Sequence, residues 1–392
     1  MKNGKIVITH FNNAIITSLL DERNEVIEIS CEMAGEERFL NNIYVGRVKN
    51  IAKNINAAFI EYQKDKVGYF SLEKHKGKLK QGDLVLVQVS KENVKTKFPV
   101  LTDTFNITGK NLVLITGNSD IHFSNKIKDK DEVEKIKKII EPYTNEDFGF
   151  IVRTNAINSD MNSLLKELIK LKEIYNEIKI KSGYRVPFSM LYEAPKDYIM
   201  EVINSYDQNY SEIVTDVEEI YNEIKKYLIE NQKENLDKLK FYNDEMLPLV
   251  KLYSVEKALS DATRSRVWLK SGAYLIIQPT EALIVIDVNS GKNVDRKSKR
   301  EQFLNINLEA AKEIAKQLRL RNLSGIIIVD FINMETEEDK QCLLKSFEYY
   351  LKEDNVKTTL VGMTRLNLVE LTRKKIKKPL FEQISTCKQS FD

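Results

Sequence analysis

Short apolar stretches of strand length, broken by polar turns, fill the first part of the chain. Residues 1–35 carry KIVITHF, AIITSLL and EVIEISC, and residues 41–104 carry IYVGRVK, INAAFIEY, VGYFSL and DLVLVQV. Several short strands in so little chain predict a small barrel or sandwich. Side chains alternate within INAAFIEY: Ala58, Ile60 and Tyr62 share one face, and Ala57, Phe59 and Glu61 share the other. Phe59 therefore lies beside a charge on the candidate outer face.

Farther along, the strands LVLITG and FGFIVRT flank a charged helix, KDKDEVEKIKKII, within 112–154. Apolar residues at three- and four-residue spacing predict helices over 159–185 and 215–240, both rich in Lys and Glu as solvated helix faces are. From 273 the pattern changes. AYLIIQ and ALIVIDV are joined by PTE in the manner of a hairpin, and a helix is predicted over 307–321, with Leu308, Ala311, Ala315 and Leu318 on one face. The strand GIIIVDF comes next, then a helix from Thr336, where Asp339 three residues on resembles a capping box. A last strand, TTLVGMT, and a basic helix over LVELTRKKIKK close the region. Strand, helix, strand, helix, strand predicts α/β layering.

The 392 residues are 42% apolar and 30% charged, a globular composition. Net charge is +3, from 61 basic and 58 acidic residues, so any nucleic-acid contact depends on a local basic face. Cys31, Cys342 and Cys387 show no paired spacing, which fits a reducing compartment. His10, His75 and His122 are far apart, which argues against a histidine triad or a histidine zinc site. No signal-peptide core and no run long enough to span a bilayer appears, so a cytoplasmic protein is expected.

Candidate chemistry sits at two strand ends. ALIVIDVNSG and GIIIVDFINM each place an aspartate, Asp287 and Asp330, at the carboxyl end of a buried β-branched run. Sites in open α/β sheets form at such ends. Two neighbouring carboxylates repel unless protonated or bridged by a cation. A hard ion, Mg²⁺ or Mn²⁺, is the natural bridge, and Asn289 points toward the same place. One strand-end aspartate more often caps a loop; two in one α/β unit weigh the catalytic and structural readings about equally. The following KNVDRKSKR, with Lys292, Arg296, Lys297, Lys299 and Arg300, suits a phosphate polymer or is simply a solvated loop. On the β-rich region, Phe59 and either Tyr69 or Phe70 could stack bases, at roughly 1–3 kcal/mol each.

ALIVIDVNSG, NLEAAKEIAKQLRLRNLSGIIIVDFINM and IYVGRVKNI, NAAFIEY, VGYFSL together resemble the ribonuclease E/G family over nearly the whole chain, as its catalytic half. The resemblance implies an Mg²⁺-dependent (or Mn²⁺-dependent) endoribonuclease of single-stranded RNA that leaves 5′-phosphates, is stimulated by a 5′-monophosphate, and serves RNA decay or ribosomal RNA processing. It implies an α+β multidomain fold: an RNase H-like subdomain from 1–35 and 206–262, an inserted OB-fold RNA-binding domain over 36–110, a 5′-sensor subdomain over 111–205, and a DNase I-like catalytic subdomain over 263–392. By the same resemblance Asp287 and Asp330 are the metal ligands, and Asn289 orients the scissile phosphate. Phe59, Tyr69 and Lys97 contact RNA. Gly109, Val113, Arg153 and Thr154 form a 5′-monophosphate pocket, for which the planar fork of Arg153 suits phosphate oxygens.

The chain departs from the family pattern in four places. Only Cys387 stands where the family carries two cysteines, and Ser390 falls where the second would be. One cysteine per chain at this position supplies two thiolates per dimer, short of the tetrahedral four of structural zinc, which argues against a zinc link while leaving a homodimer open. Asn333 replaces a usually acidic residue near the metal site, Tyr69 replaces a phenylalanine, and the long C-terminal scaffold of larger members is not expected here. Two other readings stay open: a catalytically weak or inactive RNA-binding relative, and an α/β phosphatase or nucleotide-binding enzyme, which the lack of a glycine-rich phosphate loop disfavours.

Overall fold

Alternation sets the outcome wherever one face of a strand finds a core. The computed structural model describes residues 4–389, apart from 36, 74, 76, 93–97, 125, 185, 205–209 and 292–298. The chain divides into two compact units, 1–36 with 207–392, and 37–206.

In the unit 37–206 the predicted small β structure is a closed barrel. Its five strands run in the order Ile43–Ala52, Ala57–Gln63, Lys66–Ser71, Val100–Thr102, Leu84–Lys91, and the last returns to pair with the first, so no edge is left open among them. Ala58, Ile60 and Tyr62 point inward beside Tyr44, Val48 and Val87. Phe70 is also inside, and Tyr69 faces outward, which alternation alone left undecided. A second sheet, Ile121–Phe123, Phe148–Val152, Leu112–Thr116 and Asn106–Thr108, packs on the helix Met161–Gly183. That helix buries Leu164, Leu168, Leu171, Tyr175 and Ile178, one stripe at three- and four-residue spacing. Asp129 caps the charged helix Lys130–Ile140 by accepting from Asp131 N and Glu132 N.

The other unit joins both ends of the chain. Gly4–Phe11 pairs antiparallel with Ala14–Leu20 and parallel with Tyr210–Thr215, a contact made only after the long intervening segment has passed. A six-stranded mixed sheet follows, ordered Arg266–Trp268, Tyr274–Pro279, Ile284–Asn289, Gly325–Asp330, Leu368–Arg373, Thr358–Met363. One face of it buries Leu275, Ile277, Ile286, Val288, Ile327 and Val329 against Ala310, Ala311, Ile314 and Leu318 of the helix Lys299–Leu320. The predicted hairpin is present, with Pro279 opposite Ile284.

Four expectations differ from the structure. The helix predicted over 307–321 is Lys299–Leu320, so Lys299 and Arg300 of the basic run open a helix instead of lying in a loop. The helix predicted over 215–240 is Glu218–Asn231 only; beyond it Leu239–Phe241 is extended, because Leu239 pairs with Ile213. Tertiary pairing overrides helical spacing there. The basic helix predicted over 368–378 is the strand Leu368–Arg373, with Val369 and Leu371 buried at period two. Its neighbours on both sides supply the ladder that a helix would forgo. Thr336 does cap the helix Glu337–Leu351 by accepting from Asp339 N, but the Asp339 carboxylate accepts instead from Arg300 at 2.8 Å.

Candidate active site

Asp287 and Asp330 are register partners on the parallel strands Ile284–Asn289 and Gly325–Asp330. Both strands bury the side chains on either side of the aspartate, so both carboxylates leave by the uncovered face, and both are exposed. Neighbouring strands lie roughly 4.8 Å apart, which places two acidic groups side by side. Asn289, two residues on, shares that face, and its Nδ2 donates to Asp287 Oδ2 at 2.8 Å. The chain turns immediately afterwards at Gly291, where φ is +72° and an added Cβ would meet the Gly272 carbonyl oxygen at 2.5 Å. Only glycine combines that backbone with that approach.

The connection that follows Asp330 is held by a residue that sequence spacing did not single out. Asn307 lies in the helix Lys299–Leu320 with no exposed surface. Its Nδ2 donates to Ile332 O at 2.8 Å and its Oδ1 accepts from Ile332 N at 3.0 Å. A side-chain amide thus replaces a ladder partner just past the strand end, satisfying a peptide that would otherwise be costly to bury. A polar residue within an apolar helical stripe was the available signal. Asn333, at the position that departs from the family pattern, is exposed in the same connection.

Two oxygen-rich carboxylates and an amide fit a hard cation that keeps most of its waters, as Mg²⁺ does. Among the described residues no cluster of three or more His, Cys, Asp or Glu forms an all-protein metal cage. Of the basic run after Gly291, Lys292, Arg296 and Lys297 lie outside the described residues. Lys299 is exposed, and Arg300 is engaged by Asp339.

On the barrel, Phe59 and Tyr69 are register partners with ring centroids 6.3 Å apart. Phe98, which sequence reasoning missed, extends the pair: it stands 5.2 Å from Phe59 and is 53% exposed. Its place beside a proline in a loop carried no periodic signal. Lys97 lies outside the described residues.

In the second sheet of that unit, Arg153 follows the strand Phe148–Val152. Its Nη1 donates to Gly109 O at 2.6 Å and its Nη2 to Asn204 Oδ1 at 2.7 Å. Thr154 is next in the chain, and Val113 lies on the adjoining strand opposite Ile151. Glu167, missed in sequence, reaches into this corner from the helix Met161–Gly183. It accepts from Asn111 N, Leu112 N and Asn111 Nδ2. Gly109 leaves the space for it: a Cβ there would lie 2.1 Å from Glu167 Oε1. Burial raises the Glu167 carboxyl above the usual carboxylate range, against the pull of these donors and of Arg153.

Known sequences similar to this chain come from one family. The sequence model of the Ribonuclease E/G family matches residues 106–376. Ribonuclease G of Haemophilus influenzae is 32% identical over 381 residues, covering 92% of this chain and 77% of its own length. Ribonuclease G of Escherichia coli is 31% identical over 385 residues, covering 92% and 78%. A ribonuclease E/G-like protein of Pyropia yezoensis is 34% identical over 372 residues, covering 90% and 72%.

Proposed function

The chain belongs to the ribonuclease E/G family, and from that premise we propose that it is an endoribonuclease that hydrolyses phosphodiester bonds in single-stranded RNA, in RNA decay or ribosomal RNA processing. The observation that carries this reading is the register pairing of two exposed carboxylates, Asp287 and Asp330, on the uncovered face of a sheet.

Asp287 and Asp330 would hold Mg²⁺ or Mn²⁺, which when bound offsets charge at phosphorus and lowers the pKa of an attacking water. Asn289 would orient the scissile phosphate, a role supported by its Nδ2 donating to the neighbouring Asp287 carboxylate. Asn307 holds the peptide after Asp330 so that the second carboxylate does not drift. Phe59 and Tyr69, with Lys97, act as the RNA-gripping surface of the OB-type barrel, and Phe98 adds a third ring to it. Gly109, Val113, Arg153 and Thr154 receive a 5′-monophosphate, with the Arg153 fork as the main phosphate partner. In this reading 1–35 and 206–262 are the RNase H-like support, 36–110 the OB fold, 111–205 the 5′ sensor, and 263–392 the DNase I-like catalytic part.

The test is cleavage of labelled single-stranded RNA bearing a 5′-monophosphate or a 5′-hydroxyl, with Mg²⁺ or with EDTA. Cleavage should require the metal, leave 5′-phosphates and favour the monophosphate. Asp287→Asn should abolish cleavage while RNA binding persists, and Arg153→Ala should erase the end preference. Metal-dependent cleavage at parental rate by Asp287→Asn would remove the metal assignment. Binding without cleavage by the parent would instead mark an inactive RNA-binding relative.

A further inference from the structure

We propose that Trp268, with Arg266 and Tyr274, forms a stacking subsite for an unpaired nucleobase of the RNA strand that lies over the Asp287–Asp330 pair; this rests on the nuclease reading above. The strand Arg266–Trp268 is one of the two edges of the six-stranded sheet. Two rows of register partners run from that edge to the carboxylates. Trp268 faces Tyr274, which faces Asn289; Arg266 faces Ile276, which faces Asp287, which faces Asp330. The rows are two residues apart along each strand, so all of these side chains emerge on one face. Trp268 is two strand spacings from Asn289, roughly 10 Å. A nucleotide stacked on it is therefore a near neighbour of the phosphate held at Asp287.

The cluster has the chemistry of a nucleic-acid platform. Trp268 is 63% exposed, although a large indole is normally covered. The Arg266 guanidinium lies 4.7 Å from the Tyr274 ring centroid and 5.7 Å from that of Trp268, and the two rings are 5.2 Å apart. Arg266 has no carboxylate partner among the described residues, so its charge remains for a phosphate while its plane supports the rings. If Trp268 merely shielded a sheet edge, it would lie flat against the apolar core; instead it borders a cleft of about 590 Å³ that reaches Asn289 and Ser290. The turn that brings Ser271 to the cleft lining is tied to the helix Lys299–Leu320, because the Glu309 carboxylate accepts from Lys270 N at 2.7 Å and from Ser271 N at 3.4 Å. An exposed indole beside a cation suits an unpaired base, because every base offers a π-face.

Trp268 is the only tryptophan of the chain, so its fluorescence reports this subsite alone. The experiment titrates the Asp287→Asn full-length protein with a single-stranded oligoribonucleotide, following Trp268 emission and, separately, the anisotropy of the labelled RNA. Emission should be quenched along the same isotherm as binding, and much less by a duplex of the same sequence. In the otherwise unaltered enzyme, Trp268→Ala should raise KM about five- to a hundred-fold with little change in kcat, the range one stacked base commands. Trp268→Phe should restore most of the loss. RNA that binds and is cleaved by the parent while Trp268 emission stays constant and Trp268→Ala matches the parent overturns this subsite and leaves the nuclease reading intact. Emission that changes with protein concentration but not with RNA assigns the face to contact between copies of the chain and likewise overturns it. Failure of RNA to bind at all removes both readings.

Discussion

Glu167 shows what one residue can impose on its surroundings. Its carboxylate takes up Asn111 N, Leu112 N and Asn111 Nδ2 and dictates glycine at 109. Burial nevertheless raises its pKa above the ordinary 4.5. A raised carboxyl favours the protonated fold, so its stabilisation is complete below the unfolded value and is lost as pH rises through the folded one. Glu167→Gln carries no titrating proton and is expected to flatten stability against pH from about 4.5 upward. Urea midpoints across that range measure this; identical slopes in variant and parent would remove Glu167 as the source. None of this was legible beforehand, because Glu167 sits in a Lys- and Glu-rich helix where each acidic residue reads as solvated. Asp287 and Asp330 were legible for the opposite reason: a charge that ends an unbroken apolar run stands out. Tyr69 and Phe70 lay between, since alternation separates their faces and only the Leu101-containing barrel core says which is inside.

At the scale of elements, strands with one buried face were read well and basic segments poorly. The stretch 368–378, LVELTRKKIKK, reads as a basic helix, yet its first six residues are the strand Leu368–Arg373. Its end is set by Arg373, whose Nε donates to Asp354 Oδ2 at 2.6 Å and whose Nη1 donates to Asn322 Oδ1 and Leu323 O. Both side chains of the pair are 4% exposed. Breaking a buried pair leaves a charge unpartnered, so Asp354→Ala is expected to cost about 3–5 kcal/mol. Denaturant unfolding gives the value, and a loss under about 1 kcal/mol would mean the pair behaves as a surface bridge. The spacing between Asp354 and Arg373 carries no pattern, so nothing short of the fold identifies them as partners.

For the molecule as a whole, the contiguous segment 37–206 forms one unit, with its own barrel core and the second core beneath the helix Met161–Gly183. The remaining unit is built from two distant pieces that share the sheet of Gly4–Phe11 and Tyr210–Thr215. Expressed alone, 37–206 is expected to unfold cooperatively with native-like circular dichroism; a featureless, non-cooperative melt would show that it depends on the rest of the chain. No helix of the described residues is long and apolar enough to cross a membrane.

Local patterning alone determined most strands, the helix Met161–Gly183, the start of the helix Glu337–Leu351 and the presence of two strand-end aspartates, because each depends on a short segment. The quoted segments together identified the family. Only the tertiary structure decided that Asp287 lies opposite Asp330, that Asn307 braces the chain after it, that Glu167 fills the corner beside Arg153, and that Trp268 and Arg266 share a face with the carboxylates. Register, burial and pairing between distant residues set these relations, and a one-residue slip in any strand would turn the same side chains to the other face.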